Sequence, residues 1–234
     1  MVINLPGFKI NCETEIEKYR ADTFLTKEPE TLAWIDDMEP GRVLYDVGAN
    51  IGIYTLYAAS RGIKVVAFEP QLENFYHLVK NIELNVFGNM ITPFYAAIAG
   101  NAFRDFIDTS KISIVNISCG ASGAQIGGNM GMIREVFSLS LECANSLSAD
   151  KMDYLKVDVD GTENDVLSSF HMHHGPKSML IEKNYDFTTD NKNLLDKYYT
   201  IDNKYNKMSP HSSERRRKEG INAENIIFTR VHIG

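Results

Sequence analysis

The sequence predicts an α/β fold built on a mostly parallel, twisted sheet flanked by helices, and three observations carry that expectation. An apolar run, Val43–Val47, breaks at Asp46 into the turn Asp46-Val47-Gly48-Ala49-Asn50-Ile51-Gly52. A second apolar run, Lys64–Phe68, follows a helical stretch and ends in a carboxylate, Glu69. Both runs are continuously apolar rather than alternating, which suits strands buried on both faces of a parallel sheet. Strand, glycine turn, helix, strand and terminal acid compose a nucleotide-cradling βαβ unit.

Taken in order, the segment from about Thr14 to Asp37 reads as one or two helices, with Pro29 at a helical first turn and Leu32, Trp34, Ile35 and Met38 as apolar positions. Residues 1–40 are expected to form a helical lead-in that lids the ligand end of the sheet, and residues 41–234 the main domain. After strand Val43–Val47, Ile51–Ser60 reads as an apolar helix and Lys64–Phe68 as the second strand. Gln71–Asn85 is amphipathic, with Phe75, Leu78, Val79, Ile82 and Val86 at helical spacing, and Met90–Ile98 reads as a third strand. From Gly100 to Gly131 the pattern dissolves into a polar, glycine-rich stretch. Structureless connections of that length are uncommon unless they close over a site, so a substrate-facing insertion is expected at about 100–135; a linker without a role is the plainer alternative. Val136–Leu141 alternates like a strand at its edge. The core resumes with strand Tyr154–Val159, helix Glu163–Phe170, strand Ser178–Ile181, a helix that includes Leu194–Tyr199, and a closing strand Asn225–Val231.

The turn reads D-x-G-x-N-x-G rather than G-x-G-x-x-G, and no third glycine permits the close helix–strand packing that a pyrophosphate loop uses. A ligand without phosphates suits it better. Asp46 supplies an acceptor at the strand end, Gly48 and Gly52 leave room for a close approach, and Asn50 lies between them. Glu69, followed by Pro70, stands where a carboxylate takes both hydroxyls of a ribose, and Asn74 in the first turn of the next helix is a further candidate. S-adenosylmethionine meets these demands. The plainer reading of Glu69 is a solvated strand-end carboxylate or a cap on the following helix.

These residues, with Ala67-Phe68-Glu69-Pro70 and then Tyr154-Leu155-Lys156-Val157-Asp158-Val159-Asp160-Gly161-Thr162-Glu163 in that order, resemble the FkbM-like methyltransferases of the class I, Rossmann-like superfamily. Tyr19–Phe24 with Lys27–Thr31 is similar to a lead-in that some members carry, so the resemblance runs from about Tyr19 to Phe228. It implies a Rossmann-like class I fold with an antiparallel last strand, S-adenosylmethionine as donor, O-methylation, and sugar or polyketide acceptors. It identifies a family and not a substrate.

Composition agrees with one compact enzyme domain: 234 residues, 44% of them hydrophobic, suffice for one sizeable core and are few for two. A net charge of −7 argues against a nucleic-acid partner, which demands a basic face, and favours a small or neutral acceptor. Cys12, Cys119 and Cys143 are widely spaced, with no C-x-x-C pair, and read as reduced thiols. No apolar run has signal or membrane length, so a cytoplasmic protein without a membrane span is expected, and the sequon Asn116-Ile117-Ser118 then reads as chance.

Asp158 and Asp160 point to one face at a strand end, the side on which open α/β sheets place ligands. Like charges this close repel, so one takes up a proton, pairs with Lys156 on the same face, or binds a cation. Glu182, at the end of the next strand beside Asn184, converges on the same crevice. Asp158, Glu182 and Asn184 therefore make a candidate oxygen-ligand site for a divalent cation. Asp158 or Asp160 is a candidate base for a hydroxyl acceptor, Asp158 being favoured because it lies further inside the strand; a cofactor ligand or a helix cap is the alternative for either. Lys156 is a salt-bridge partner of these carboxylates or a contact to substrate or cofactor. His211, in the polar tail before the last strand, is a candidate base or a bland loop residue. His171, His173 and His174 read as a solvated helix end. Arg215-Arg216-Arg217-Lys218, flanked by Glu214 and Glu219, reads as a solvated helix face or as a fork for an acidic group on the acceptor.

The leading expectation is thus an S-adenosylmethionine-dependent O-methyltransferase acting on a hydroxyl of a sugar, glycan or other small natural product. A protein or nucleic-acid methyltransferase is disfavoured by the acidic balance and by the absence of an N/D-P-P-Y/F motif. A non-catalytic module with a vestigial cofactor fold is disfavoured by the intact turn and Glu69.

Overall fold

The computed structural model describes residues 1–100, 108–114, 119–120, 124–126, 131–159, 161–183, 195–208 and 224–231. The chain opens with a hairpin, β1 (Val2–Leu5) and β2 (Phe8–Asn11), and three short helices, α1 (Glu15–Asp22), α2 (Phe24–Lys27) and α3 (Pro29–Asp36). The alternating part follows as β3 (Val43–Val47), α4 (Ile53–Ser60), β4 (Lys64–Phe68), α5 (Leu72–Asn85), β5 (Ile91–Phe94) and β6 (Ala97–Ile98). Then come β7 (Asp108–Ile114), β8 (Ala124–Ile126), β9 (Met132–Leu139), α6 (Leu141–Leu147), β10 (Tyr154–Val157), α7 (Glu163–Ser168) and β11 (Ser178–Lys183). The chain continues through α8 (195–198), β12 (Tyr199–Ile201), α9 (Asn203–Asn206) and β13 (Glu224–Arg230).

Seven strands form one sheet in the order β12-β13-β11-β10-β3-β4-β5. The five from β11 to β5 run parallel, while β13 runs antiparallel beside β11 and β12 antiparallel beside β13. This is the mostly parallel class I sheet with its antiparallel late strand, as the sequence and the resemblance led one to expect. Alternation sorts each strand between two cores. Leu44, Val65, Ala67, Tyr154, Leu180 and Ile227 face the core that contains the hairpin and the N-terminal helices. Tyr45, Val47, Phe68, Leu155, Val157 and Ile181 face the core closed by α6 and α7.

The N-terminal segment covers a face of the sheet rather than only its end. Trp34 is buried, its ring set edge-on to Tyr154 at 6.5 Å, and its Nε1 donates to Ser178 Oγ at 2.8 Å. The hairpin was not read from the sequence: its strands are four residues each, and the one signal was Pro6-Gly7, where Gly7 takes φ +92°. It is tied to α5 through the Asn11 N–H, which donates to Asn81 Oδ1 at 2.8 Å.

Three expectations need correction. The strand expected over Met90–Ile98 is two: β5 joins the main sheet, whereas β6 pairs with β9. The stretch expected to be a structureless insertion is, in its described residues, a second sheet of order β6-β9-β7-β8. Ile112, Ile114 and Val136 pack with Ala97 into a small core of their own. So few apolar residues among polar neighbours leave little periodicity to detect. Of the helix expected over Leu194–Tyr199, residues 195–198 are helical and Tyr199 opens β12. Among the described residues no helix is long and apolar enough to cross a membrane.

The packing of Trp34 makes the N-terminal helices part of the core. Trp34→Ala is expected to cost about 3–5 kcal/mol, as for other buried aromatic truncations. Chemical denaturation measures it; a loss under about 1 kcal/mol, in the range of a surface substitution, would show that the segment is peripheral to stability.

Candidate active site

At the end of β3 the backbone turns through Gly48, Asn50 and Gly52 with φ of +85°, +52° and +90°. Glycine at 48 is required: a Cβ there would stand 1.8 Å from the Asp158 carbonyl oxygen, which is backbone and cannot yield. At 52 a Cβ would meet Leu78 Cδ1 at 2.4 Å. Asn50 tolerates the left-handed region better than other side-chain-bearing residues do, and its Oδ1 accepts from the Ile51 N–H at 2.9 Å. The Gly48 and Ala49 N–H groups both donate to the Phe68 carbonyl at 3.0 Å, and the Asp158 N–H donates to the Val47 carbonyl at 3.0 Å. The turn is thereby clamped between β4 and β10.

Glu69, one residue past β4, is buried against this turn. Its Oε2 accepts from the Asn50 N–H at 2.7 Å and its Oε1 from the Gln71 N–H at 2.8 Å. Burial pushes its pKa up to about 7, against the opposing pull of the Gln71 and Asn50 N–H groups and the Asn74 side chain. The carboxylate thus joins the turn to the start of α5, and with the Asn74 side chain as third donor one of its four acceptor positions is left. Asn74 acts as a bracket: it hydrogen-bonds Glu69, and its Oδ1 accepts from the Gly120 N–H at 2.8 Å. Beside the turn lies a narrow crevice, of about 20 Å³, lined by Gly48, Phe68, Pro70, Ala97, Val159 and Thr162.

Strand register sets Lys156 opposite Asp46, and alternation puts Asp158 on the same face. Lys156 Nζ lies 3.4 Å from Asp46 Oδ1, 3.2 Å from Asp158 Oδ2, and 5.4 Å from the Tyr54 ring centroid. The side chains of Lys156 and Asp46 are 2% and 1% exposed, that of Asp158 31%. Asp46 Oδ2 accepts from Thr55 Oγ1 at 2.6 Å, whereas Oδ1 accepts no hydrogen bond and has the ammonium as its counter-charge. Burial alone would lower the Lys156 pKa; Asp158, Asp46 and Glu28 outweigh it and raise it. Burial would raise that of Asp158, but the Lys156 charge, a hydrogen bond with Glu182 and the Lys27 charge hold it below the ordinary carboxylate range. Lys156 is therefore a fixed cation and not a proton acceptor, and Asp158 is an anion hydrogen-bonded with Glu182. Tyr54 is held neutral, its pKa raised by burial and by Glu28.

The structure thus gathers Asp46, Gly48, Asn50, Gly52, Glu69, Pro70 and Asn74 around one turn, and Lys156, Asp158 and Glu182 at the adjoining strand ends. Asp160, Asn184, His211 and the run Arg215–Lys218 lie outside the described residues. His171, His173 and His174 are exposed, as a solvated helix end requires. Sequence reasoning missed Tyr54, Thr55, Lys27 and Glu28. The last two come from the junction of α2 and α3, and their only trace in the sequence is a charged cluster, Lys27-Glu28-Pro29-Glu30, at the start of an apolar helix.

Comparison with known proteins bears on this geometry. Residues 46–208 match the sequence model of the methyltransferase FkbM domain, more than half of the chain. The AMB antimetabolite synthetase AmbE of Pseudomonas aeruginosa is 29% identical over 164 residues, an alignment that covers 56% of this chain. The matched stretch spans only 8% of that relative's length. Among solved structures, one described as an rRNA-methylase of Clostridium thermocellum is similar at a TM-score of 0.50 and 8% identity, with 88% of this chain and 96% of that chain covered. A TehB-like SAM-dependent methyltransferase of Corynebacterium glutamicum gives a TM-score of 0.45 and 9% identity, with 93% and 96% covered. At 8% identity the likeness to the Clostridium thermocellum structure speaks to the fold alone, and the family rests on the sequence match that begins at Asp46. The chain belongs to the FkbM family of methyltransferases.

Proposed function

We propose that this methyltransferase transfers the methyl group of S-adenosylmethionine to a hydroxyl oxygen of a sugar, glycan or other small natural product. The observation that carries the acceptor chemistry is the Asp158–Glu182 carboxyl pair, held beside Lys156 at the strand ends next to the glycine turn. The similarity to part of an antimetabolite synthetase favours the small-molecule side of this acceptor class.

The residues present fit the donor. Gly48 and Gly52 let backbone approach it, Glu69 has one acceptor position left for a ribose hydroxyl, and the crevice beside Pro70 is walled by Phe68, Ala97 and Val159. When bound, the donor supplies a sulfonium methyl, and the transfer is an in-line displacement for which the protein's main task is alignment. Asp158 accepts a hydrogen bond from the acceptor hydroxyl and fixes the oxygen's direction. Its low pKa makes it a weak base, so the proton passes to the Asp158–Glu182 pair late, as positive charge builds on the oxygen. Lys156 keeps the pair anionic and holds Asp46 and Asp158 at a common spacing.

The same lysine bears on the divalent cation considered for Asp158, Glu182 and Asn184. An ammonium 3.2 Å from Asp158 Oδ2 already supplies the positive charge a cation would bring. The described residues therefore favour transfer without a hard cation at these carboxylates. In protein stripped with chelator, adding Mg²⁺ is expected to leave the turnover rate unchanged; a rate that rises with Mg²⁺ would restore the cation.

Ribose hydroxyls donate to an ionised Glu69, so binding favours the deprotonated form. Since the free group titrates at about 7, donor binding is expected to release a proton near neutrality, and affinity to rise with pH up to and through that value and then level off. Calorimetry in buffers of different ionisation enthalpy measures the proton. Glu69→Ala removes a hydrogen bond to a charged group, about 1.5–3 kcal/mol, and affinity should fall at least roughly tenfold. Unchanged affinity in that variant, once shown to be folded, would remove Glu69 from the donor site.

Asp158→Asn keeps the shape and removes the anion. Donor affinity should survive while single-turnover rate falls by roughly 100-fold or more. If binding and rate are lost in proportion, Asp158 holds the donor and the acceptor role fails.

A further inference from the structure

We propose that Glu17, His77 and Cys119 form a second site, outside the donor crevice, that binds a divalent transition ion of the zinc type. The carboxylate oxygen, imidazole nitrogen and thiol sulfur they offer all lie within 4.8 Å of one another, and all three residues are buried. They come from three separate segments: α1, α5, and the turn at 119–120 that precedes β8.

The surroundings are organised as a metal cage requires. Glu17 Oε2 is fixed by the Glu13 and Thr14 N–H groups, each at 2.7 Å, which leaves Oε1 aimed at His77 Nδ1 at 2.6 Å. The other ring nitrogen, Nε2, faces Glu13 Oε2 at 3.6 Å, the carboxylate–histidine arrangement that orients imidazole ligands. The Cys119 turn is held from both sides. Thr14 Oγ1 donates to the Cys119 carbonyl at 2.9 Å, Arg20 Nε to the Gly120 carbonyl at 2.6 Å, and the Gly120 N–H to Asn74 Oδ1 at 2.8 Å. At present Cys119 Sγ donates to the Glu73 carbonyl at 3.2 Å.

Charge favours an ion here. A divalent cation with one carboxylate, one thiolate and one neutral imidazole is neutral overall, the condition under which ionic groups tolerate burial. Mixed oxygen, nitrogen and sulfur ligands suit zinc, with three protein ligands and a water as fourth. Binding replaces the His77–Glu17 hydrogen bond with two metal bonds, the imidazole carrying its one proton on Nε2 toward Glu13, and forms a metal–sulfur bond as the S–H bond breaks; the thiol proton goes to solvent and no electron moves. The ion would staple the 119–120 turn to α1 and α5, and through Asn74 to Glu69.

Cobalt(II) serves as the probe. Titration of metal-stripped protein is expected to give one equivalent of binding, a thiolate-to-cobalt absorption band, proton release and a higher Tm, all reversed by zinc competition in the case of the band. Cys119→Ser should abolish the band, His77→Gln should weaken binding at least roughly tenfold, and Cys143→Ser, at a buried thiol in the other core, should leave both intact. Glu17→Gln retains an acceptor for the helix cap while losing the charge, and should also weaken binding. Absence of a band in the folded parent, or a band that persists in Cys119→Ser, would overturn the site; so would Cys143→Ser abolishing it. Circular dichroism confirms that each variant is folded, and the parent titration decides the matter where one is not.

Discussion

The constraint on which the site depends is the buried charge of Lys156. An ammonium with 2% exposure is tolerable only if anions meet it, and Asp46 and Asp158 do so from the neighbouring strand and from two residues further along its own. Each of these anions has a second commitment. Asp46 is hydrogen-bonded by Thr55 at the start of α4, and Asp158 packs its carbonyl against Gly48 and hydrogen-bonds with Glu182. One lysine thereby couples the end of β3, the turn, the first turn of α4, β10 and β11. Removing it would leave two carboxylates facing each other in a low-dielectric setting, which is why the strand ends hold one arrangement.

Glu69 plays a similar part on the other side of the turn. Its two oxygens accept from the backbone N–H groups of Asn50 in the turn and of Gln71 just before α5, so one carboxylate ties these two segments together. The cost of burial is visible as a carboxyl group that titrates near neutrality.

The hairpin, the N-terminal helices and the small second sheet surround this centre. Residues from α1 and the α2–α3 junction reach inward: Glu28 bears on Lys156 and Tyr54, and Glu17 bears on His77 and Cys119. Arg134 of β9 forms a two-pronged pair with Glu73 of α5, at 2.8 and 2.7 Å, which anchors the second sheet near the same helix start. The crevice walls are thus supplied by segments distant in the chain, and their positions depend on one another.

What the sequence determined by itself was everything written in local pattern. Continuous apolar runs marked the buried parallel strands; glycines at 48 and 52 marked the turn; an acid one residue past β4 marked the crevice; and the spacing of Lys156 and Asp158 put both on one face. Each of these follows from a period of two, from a φ that only glycine adopts freely, or from where a strand must stop. What only the tertiary structure decided was pairing between segments: that Lys156 neutralises Asp46 and Asp158, that Asn74 brackets Glu69 to Gly120, that Glu28 approaches from the lead-in, and that residues after 100 build a sheet with β6. Strand register, side-chain reach and the choice of partner for a buried charge are properties of three-dimensional proximity, and no local periodicity encodes them.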